Sequence, residues 1–175
     1  IMMIADEIQC GSGRTGTWWN VEQHNVTPDL LLFGKGIASG FPLAGIVGNE
    51  EIFNNIGAGY LGGTYGGNAI ASMAASATID IFNNENLLEN TLVQGILLKK
   101  ELQKFEEIEE IKQYGLMIAL KFKNIKPINL INNLRDNNVL ALLAGNNNQF
   151  IRLLPPLNIT SDDVGYFINA LHKSI

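Results

Sequence analysis

The chain has 175 residues, of which 46% are hydrophobic and 17% are charged, and its formal net charge is −5. This length allows a sizeable core and favours one domain or slightly more. No apolar stretch approaches the roughly 18 residues that would cross a bilayer, and the mixed, mildly acidic charge argues against a nucleic-acid-binding surface. The single cysteine, Cys10, excludes an internal disulfide and favours a reducing compartment.

The first half of the chain alternates apolar runs with glycine-rich stretches. The apolar runs predict short strands at residues 1–5, 30–33 and 43–48, the first of them fully buried. The glycine-rich stretches predict loops at residues 11–17 and 57–67. Because the chain starts inside the first run, without an initiating methionine, we expect it to be the carboxyl-terminal part of a longer protein whose targeting segment is undefined.

Two helices are predicted next. Residues 68–82 are rich in alanine, with larger apolar residues at helical spacing, which favours a helix packed closely on a sheet. A longer helix is predicted over about residues 85–107, where apolar and charged residues alternate at helical intervals. We expect this helix to lead into a separate unit, so the predicted domains are 1–84 and 85–175.

Strands and helices alternate through the rest of the chain. Strands are predicted at residues 115–122, 139–144 and 150–154. Helices are predicted at 127–136 and after Thr160, where the acidic residues that follow suit the first turn of a helix. This alternation is typical of an α/β fold.

Lys35 is the residue with the clearest chemical potential. It lies between two glycines after the apolar run 30–33, and Asp6 holds the corresponding place after the first run. An amine that apolar neighbours desolvate becomes a nucleophile toward carbonyl groups. A lysine and an acid at the ends of nearby strands are also the pair that pyridoxal phosphate requires. The alternative for each residue is an ordinary solvated charge at a strand end.

Residues 11–16 match the G-x-G-x-x-G dinucleotide-binding pattern in their letters only. Asp6 and Glu7 separate the strand from the first glycine, and Trp18 and Trp19 follow the last one where a helix would be needed. We therefore predict a structural loop. The two tryptophans either wall a cleft or pack internally, and the pattern leaves both alternatives open.

Two other segments have a structural and a functional interpretation. Residues 62–68 combine glycines, a hydroxyl and a helix start, which suits a phosphate site or a loop with a helix cap. Arg152 lies in an apolar strand, where its guanidinium suits a substrate carboxylate or an internal salt bridge. No metal site is predicted, because His24 and His172 have no ligand companions, and Cys10 is expected to be inert.

Taken in order, these segments resemble the class III (ω-amino acid) pyridoxal-phosphate aminotransferases over essentially the whole chain. The resemblance is carried by residues 4–9 (IADEIQ), 11–16 (GSGRTG), 28–45 (from Pro-Asp through Lys35 to GFPLAG), 63–68 (GTYGGN), 115–117 (GLM) and 151–157 (IRLLPPL). The chain departs from the family pattern at Ala69, where proline is usual, and at Lys112-Gln113, where Arg-Gly is common.

The resemblance implies fold type I, with residues 1–84 as the end of the large cofactor domain and 85–175 as the small C-terminal domain. It assigns Lys35 to the Schiff base with pyridoxal phosphate. It assigns Asp6 to the pyridinium nitrogen, which the acid keeps protonated, and Gln9 to a hydrogen bond near the phenolic oxygen of the ring.

The resemblance further implies that Thr64 binds the phosphate in a neighbouring subunit, and therefore a homodimer with shared sites. Arg152 would hold a substrate carboxylate. The implied reaction moves an amino group from an amino acid to 2-oxoglutarate, and the donor is 4-aminobutyrate or an ornithine-like or N-acetylornithine-like compound. An aminomutase or racemase of the same fold and an inactive truncated remnant are the alternatives. The expected location is the cytoplasm or the mitochondrial matrix, and a chain of only these residues is expected to be inactive.

Overall fold

The computed structural model describes residues 1–175, which form two compact units, Ile1–Leu88 and Glu89–Ile175. Helices and strands are mixed in both units, as the α/β prediction requires. No helix has the length and apolar character that crossing a membrane would need.

The N-terminal unit contains a three-stranded sheet in the order β1-β2-β3. Its strands are β1 (Ile4–Asp6), β2 (Leu30–Phe33) and β3 (Gly45–Gly48). β1 runs parallel to β2, whereas β3 is antiparallel to β2. The helices of this unit are two 3-10 helices (Asn20–His24 and Lys35–Ala38), α1 (Glu50–Phe53) and α2 (Ala69–Asn84).

Helix α2 confirms the helix predicted from the alanine-rich segment. Asn68 caps it, because the side-chain oxygen accepts the N–H groups of Ile70 at 3.0 Å and Ala71 at 3.1 Å. One face of the helix is buried, and Ala75 on that face packs against the 3-10 helix Lys35–Ala38. Small side chains on this face allow the close approach.

The C-terminal unit is a four-stranded antiparallel sheet in the order β4-β5-β7-β6, with three helices. Its strands are β4 (Ile108–Tyr114), β5 (Met117–Phe122), β6 (Leu142–Ala144) and β7 (Phe150–Leu153). The helices are α3 (Leu87–Leu102), which begins just before this unit, α4 (Pro127–Asp136) and α5 (Ser161–Ser174). The largest wholly buried side chains of the core are Leu102, Leu116, Ile118, Leu120, Leu130, Leu134, Ile151 and Leu171.

Strand β4 corrects the sequence prediction, which extended the preceding helix to residue 107. Helix α3 ends at Leu102, and β4 begins at Ile108. β4 lies at the edge of the sheet and pairs with β5 alone, and its charged residues Glu109, Glu110 and Lys112 are exposed. Glu109 on that strand forms an ion pair with Lys121 of β5 at 2.8 Å. Because charged residues interrupt this segment, it lacks the apolar run that would have indicated a strand.

The first strand is also shorter and more exposed than predicted. β1 starts at Ile4, whose side chain is 55% exposed, whereas Ala5 is 8% exposed. The prediction of a fully buried strand over residues 1–5 is therefore wrong for this structure. The physical reason is that β1 is an edge strand, which within these residues pairs with β2 only.

Gly95 of α3 provides a test of the C-terminal packing. A Cβ added at this position would lie 2.7 Å from the carbonyl oxygen of Gly115, which is backbone and cannot move aside. We expect Gly95→Ala to lower the free energy of unfolding by about 2 kcal/mol. The matched variant Gly165→Ala lies in α5 and meets no atom within 4 Å. It is expected to raise the stability by up to about 1 kcal/mol through helix propensity. Urea unfolding of both variants measures this, and equal effects would contradict the packing argument.

Candidate active site

Adjacent parallel strands bring Asp6 and Lys35 to the same edge of the N-terminal sheet, the one formed by the carboxyl ends of β1 and β2. Asp6 ends β1 and lies opposite Leu32 of β2, and Lys35 follows the end of β2 after a single residue, Gly34. Neighbouring strands lie about 4.8 Å apart, and ligands of such sheets bind outside the carboxyl ends of the strands. The structure therefore brings these two predicted residues together.

Lys35 lies at the start of a tight turn rather than on the strand itself. It has a φ of 44° and is the first residue of the 3-10 helix Lys35–Ala38. It lines an open groove of about 630 Å³ together with Gly36, Ser39, Gly40, Phe41, Pro42 and Leu43. The side chain is exposed, so the expectation that apolar neighbours desolvate its amine is wrong for this structure. The turn buries Ile37 and Ala38 instead and leaves the lysine beside the groove.

Asp6 ends β1, Gln9 lies on the short connection that follows, and both are exposed. The Oδ1 atom of Asp6 accepts the N–H of Ile8 at 3.1 Å, which restrains the carboxylate at the sheet edge. The N–H of Gly11 donates to the carbonyl of Glu7 at 2.9 Å and closes this connection into a helical turn. The turn keeps Gln9 close to the end of the strand that carries Asp6.

Glu7 is a buried acid that the sequence analysis did not single out. It is 3% exposed, and its carboxylate accepts the N–H groups of Asn20 at 3.0 Å and Val21 at 2.9 Å. Its own N–H donates to the carbonyl of Leu32 in β2 at 3.0 Å. Glu7 therefore ties together β2, the turn after β1 and the 3-10 helix Asn20–His24. The sequence offers little signal for this role, since an acid after a strand is usually solvated.

The glycine-rich segment 11–16 is a structural loop, as predicted. A Cβ added at Gly11 would lie 2.7 Å from both the carbonyl oxygen of Glu7 and the ring of Trp19. Gly13 and Gly16 have φ values of 78° and 96°, which favour glycine. The N–H groups at the start of the helix that follows are held by Glu7, so they are not directed at a phosphate.

Both tryptophans pack internally, which decides between the two alternatives left open by the sequence. Trp18 stacks on Phe82 of α2 with ring centroids 4.7 Å apart, and Trp19 lies 6.0 Å from Phe33 of β2. These contacts hold the loop against the elements on both sides of Lys35.

Cys10 lies next to the buried acid. Burial, followed by the negative charge of Glu7, raises the pKa of the Cys10 thiol above its ordinary value. The thiol lies 3.5 Å from the carbonyl of Asp6. A raised pKa lowers the thiolate fraction, in agreement with the expectation of an inert cysteine.

Thr64 lies outside the Lys35 groove. It is exposed in the glycine-rich segment before α2, and it is not among the residues that line the groove. A second groove of about 420 Å³ lies beside it, lined by Phe41, Pro42, Tyr65, Asn68 and Ile70. Phe41 and Pro42 line both grooves, so they separate the surface around Lys35 from that around Tyr65.

Arg152 lies in the C-terminal unit, at the centre of β7. Its neighbours Ile151 and Leu153 are buried in the core at 0% and 6% exposure. Side chains alternate along a strand, so the half-buried Arg152 lies on the face of the sheet opposite the core. Its cross-strand partners are Ala119 and Leu142. A small alanine beside the arginine leaves space for the guanidinium.

The family model described as aminotransferase class-III matches residues 1–175. The chain belongs to the class-III aminotransferase family. It is 41% identical over 172 residues to 4-aminobutyrate aminotransferase GabT of Escherichia coli (strain K12), a match that covers 91% of this chain and 40% of that protein. It is 34% identical over 181 residues to mitochondrial ornithine aminotransferase of Rattus norvegicus, covering 100% of this chain and 41% of that protein.

Among solved structures, acetylornithine aminotransferase from Elizabethkingia anophelis superimposes on this class-III aminotransferase chain with a TM-score of 0.88. The two are 32% identical, and the match covers 100% of this chain and 48% of the other. The agreement confirms the fold type I prediction. The chain spans 40% and 41% of the lengths of the two curated relatives.

Family membership implies pyridoxal phosphate as the cofactor, and the side chains at the sheet edge fit it. Lys35 would offer an amine for the carbonyl group, Asp6 an acid for the pyridine nitrogen, and Gln9 an amide for the phenolic oxygen. Gly36 lets the turn that follows Lys35 lie close to the loop 11–16, because a Cβ there would lie 3.3 Å from that of Ser12. A groove of about 630 Å³ is within the usual size range of small-molecule sites.

Removal of the Glu7 carboxylate tests the anchoring of this aminotransferase loop. Glu7→Ala leaves two backbone N–H groups without their acceptor, so we expect the free energy of unfolding to fall by about 3 kcal/mol. Glu22 is the matched control, because its exposed carboxylate caps the same 3-10 helix by accepting the N–H of Trp19 at 2.8 Å. Glu22→Ala should cost under about 1 kcal/mol. Urea titration followed by fluorescence of Trp18 and Trp19 measures both, and a smaller effect at Glu7 would contradict the anchoring role.

The pKa of Cys10 can be tested independently. Because that pKa is raised, alkylation by iodoacetamide at about pH 8 should be slower in the folded chain than in the urea-unfolded chain. Glu7→Gln removes a negative charge beside the thiol, so the midpoint of the alkylation–pH profile should move downward. Glu22→Gln should leave the midpoint unchanged. An unchanged midpoint in Glu7→Gln would show that the charge of Glu7 has no part in the shift.

Proposed function

We propose that the protein is a pyridoxal-phosphate-dependent transaminase that moves an amino group from an amino acid to 2-oxoglutarate. The supporting observation is the delivery of Asp6 and Lys35 by adjacent parallel strands to one sheet edge, beside an open groove. The donor is 4-aminobutyrate, ornithine or N-acetylornithine, a choice supported by relatives named for these compounds.

Lys35 has two successive roles in this proposal. Its amine is the nucleophile that holds the cofactor by its carbonyl carbon. When it is not bonded to the cofactor, the same Nζ atom would accept the proton from the substrate carbon and later return one as a general acid. When bound, pyridoxal phosphate supplies the electron sink that stabilises negative charge on that carbon. The exposed position of Lys35 beside the groove supports both roles, because the amine must reach the substrate.

Asp6 and Gln9 orient the cofactor ring in this proposal. The Asp6 carboxylate keeps the pyridinium nitrogen protonated, which the electron sink requires. The Gln9 amide donates to the phenolic oxygen. Asp6 at the end of β1 and Gln9 on the turn that follows lie on either side of the buried anchor Glu7, which supports a fixed spacing between the two contacts.

Arg152 recognises the substrate carboxylate through paired N–H donors. Its place on the face of the sheet opposite the core of the C-terminal unit supports this role.

We infer that Thr64 binds the cofactor phosphate of a second subunit, so the functional form is a homodimer with shared sites. Its position outside the Lys35 groove supports this inference. On α2, which follows Thr64, Ile70 and Met73 are 68% and 70% exposed and offer apolar surface for a subunit contact. The cytoplasm or the mitochondrial matrix is the proposed location, in line with a bacterial and a mitochondrial relative.

Replacement of Lys35 tests the assignment. In the full-length protein, Lys35→Ala should abolish amino transfer from 4-aminobutyrate, ornithine and N-acetylornithine, measured as glutamate formed from 2-oxoglutarate. Lys35→Arg keeps the positive charge but supplies no amine of the required reactivity, so it should be equally inactive. The control Lys126→Ala removes another exposed lysine and should retain wild-type activity. Appreciable turnover in Lys35→Ala would contradict the proposal, and product formation without any oxo acid would favour an aminomutase or racemase.

A further inference from the structure

The turn that carries Lys35 adopts an unfavourable backbone conformation at both of its ends. Lys35 has a φ of 44° and Ser39 a φ of 47°, and neither is a glycine. A non-glycine residue in the left-handed region needs support from its surroundings. The hydrogen bonds within the turn, such as that from the Ile37 N–H to the Gly34 carbonyl oxygen at 3.2 Å, close the turn but do not attach it to the rest of the unit.

Helix α2 supplies the attachment through one apolar and one polar contact. Ala38 is 0% exposed, and together with Ile37 of the same turn it packs against Ala75 of α2. The polar contact is a hydrogen bond of 3.0 Å between the hydroxyls of Ser39 and Thr78. Thr78 is 5% exposed, so this bond reaches from the groove surface into the interior.

The direction of the hydroxyl bond follows from a second one. The Thr78 hydroxyl lies 2.7 Å from the carbonyl oxygen of Ala74 and donates its only proton there. Ser39 is therefore the donor to Thr78. This leaves the Ser39 side chain with a defined rotamer at the residue that ends the Lys35 turn.

A threonine at this place in the helix is not explained by packing alone. Its hydroxyl bonds back to the carbonyl four residues earlier, an arrangement that slightly destabilises a helix. Valine would fill nearly the same space without a buried hydroxyl. A valine could not accept the hydrogen bond from the hydroxyl of Ser39, which lines the same groove as Lys35.

We propose that Thr78 is a positioning residue for Lys35, acting through the hydroxyl of Ser39 to hold the Lys35 turn in the geometry that reacts with the cofactor. The proposal rests on the proposed function. Thr78 itself contacts neither cofactor nor substrate in the proposed arrangement. Its hydroxyl selects the conformation of the turn, and the turn sets where the amine of Lys35 lies.

The experiment measures how fast pyridoxal phosphate becomes attached to Lys35 in the cofactor-free protein. Samples are reduced with borohydride at timed intervals, and the modified Lys35 peptide is quantified by mass spectrometry. Thr78→Val should slow attachment about fivefold, the effect expected when one neutral hydrogen bond no longer selects the reactive geometry. Thr78→Ser keeps the hydroxyl and should restore the wild-type rate. Ser76→Ala, which removes an exposed hydroxyl from the same helix, is the matched control and should have no effect.

Ser39→Ala removes the other partner of the bond at an exposed position and should slow attachment to the same extent. The double variant Thr78→Val/Ser39→Ala should be no slower than either single variant, because both remove the same interaction. Urea unfolding of each variant verifies that the folded state is retained. Ser39→Ala keeps the proposal testable if Thr78→Val does not fold.

The outcomes separate this proposal from the proposed function. If the wild-type protein shows no attachment at Lys35, the proposed function is overturned and the positioning role falls with it. If the wild-type protein is modified at Lys35 but Thr78→Val reacts at the same rate, the positioning role alone is overturned. Equal slowing by Thr78→Val and Thr78→Ser would also overturn it, since that result indicates a packing effect.

Discussion

The parallel pairing of β1 with β2 is the constraint on which the candidate site depends. Asp6 lies opposite Leu32, so the end of β1 and the end of β2 meet at one edge of the sheet. A shift of one residue in this register would turn the side chain of Asp6 to the other face and separate it from Lys35. The N–H of Glu7 extends the pairing by donating to the carbonyl of Leu32. The acid and the lysine, which 28 intervening residues separate in the chain, are therefore neighbours because of the backbone ladder.

Around this edge, buried and exposed groups have different roles in the site. Asp6, Gln9 and Lys35, which are proposed to act on the cofactor, are exposed, whereas buried neighbours set their positions. Glu7 anchors the turn after β1 by accepting two backbone N–H groups, and Thr78 anchors the turn after β2 through Ser39. Polar groups are costly to bury unless they are hydrogen-bonded, so each buried anchor has a defined set of partners. Because each anchor must keep its hydrogen-bond partners, it is held rigidly. Rigid anchors keep the spacing between the exposed residues of the site fixed.

The C-terminal unit shows how far periodicity predicts structure. Helices α4 and α5 were predicted closely, because their apolar residues follow one stripe and a Pro at the start of α4 and Thr160 before α5 mark their beginnings. The central strands β5 and β7 were predicted because they are mostly apolar. The edge strand β4 was missed, since it has three charged residues, Glu109, Glu110 and Lys112, and its pattern merges with the preceding helix. An edge strand is defined by its partner, and a single sequence does not display the partner.

The sequence by itself determined the fold class and the family, and it predicted the residues that are proposed to be chemically active. Glycines, proline and the ordered motifs around Lys35 are local features that a single chain displays. Only the tertiary structure decided that Trp18 and Trp19 pack internally, that Lys35 stands exposed at an open groove, and that Glu7 and Thr78 are buried anchors. The physical reason is that burial and hydrogen bonding depend on partners distant in the chain. Glu7 and the exposed Glu22 are the same residue type, and only the fold makes one an anchor and the other a surface cap.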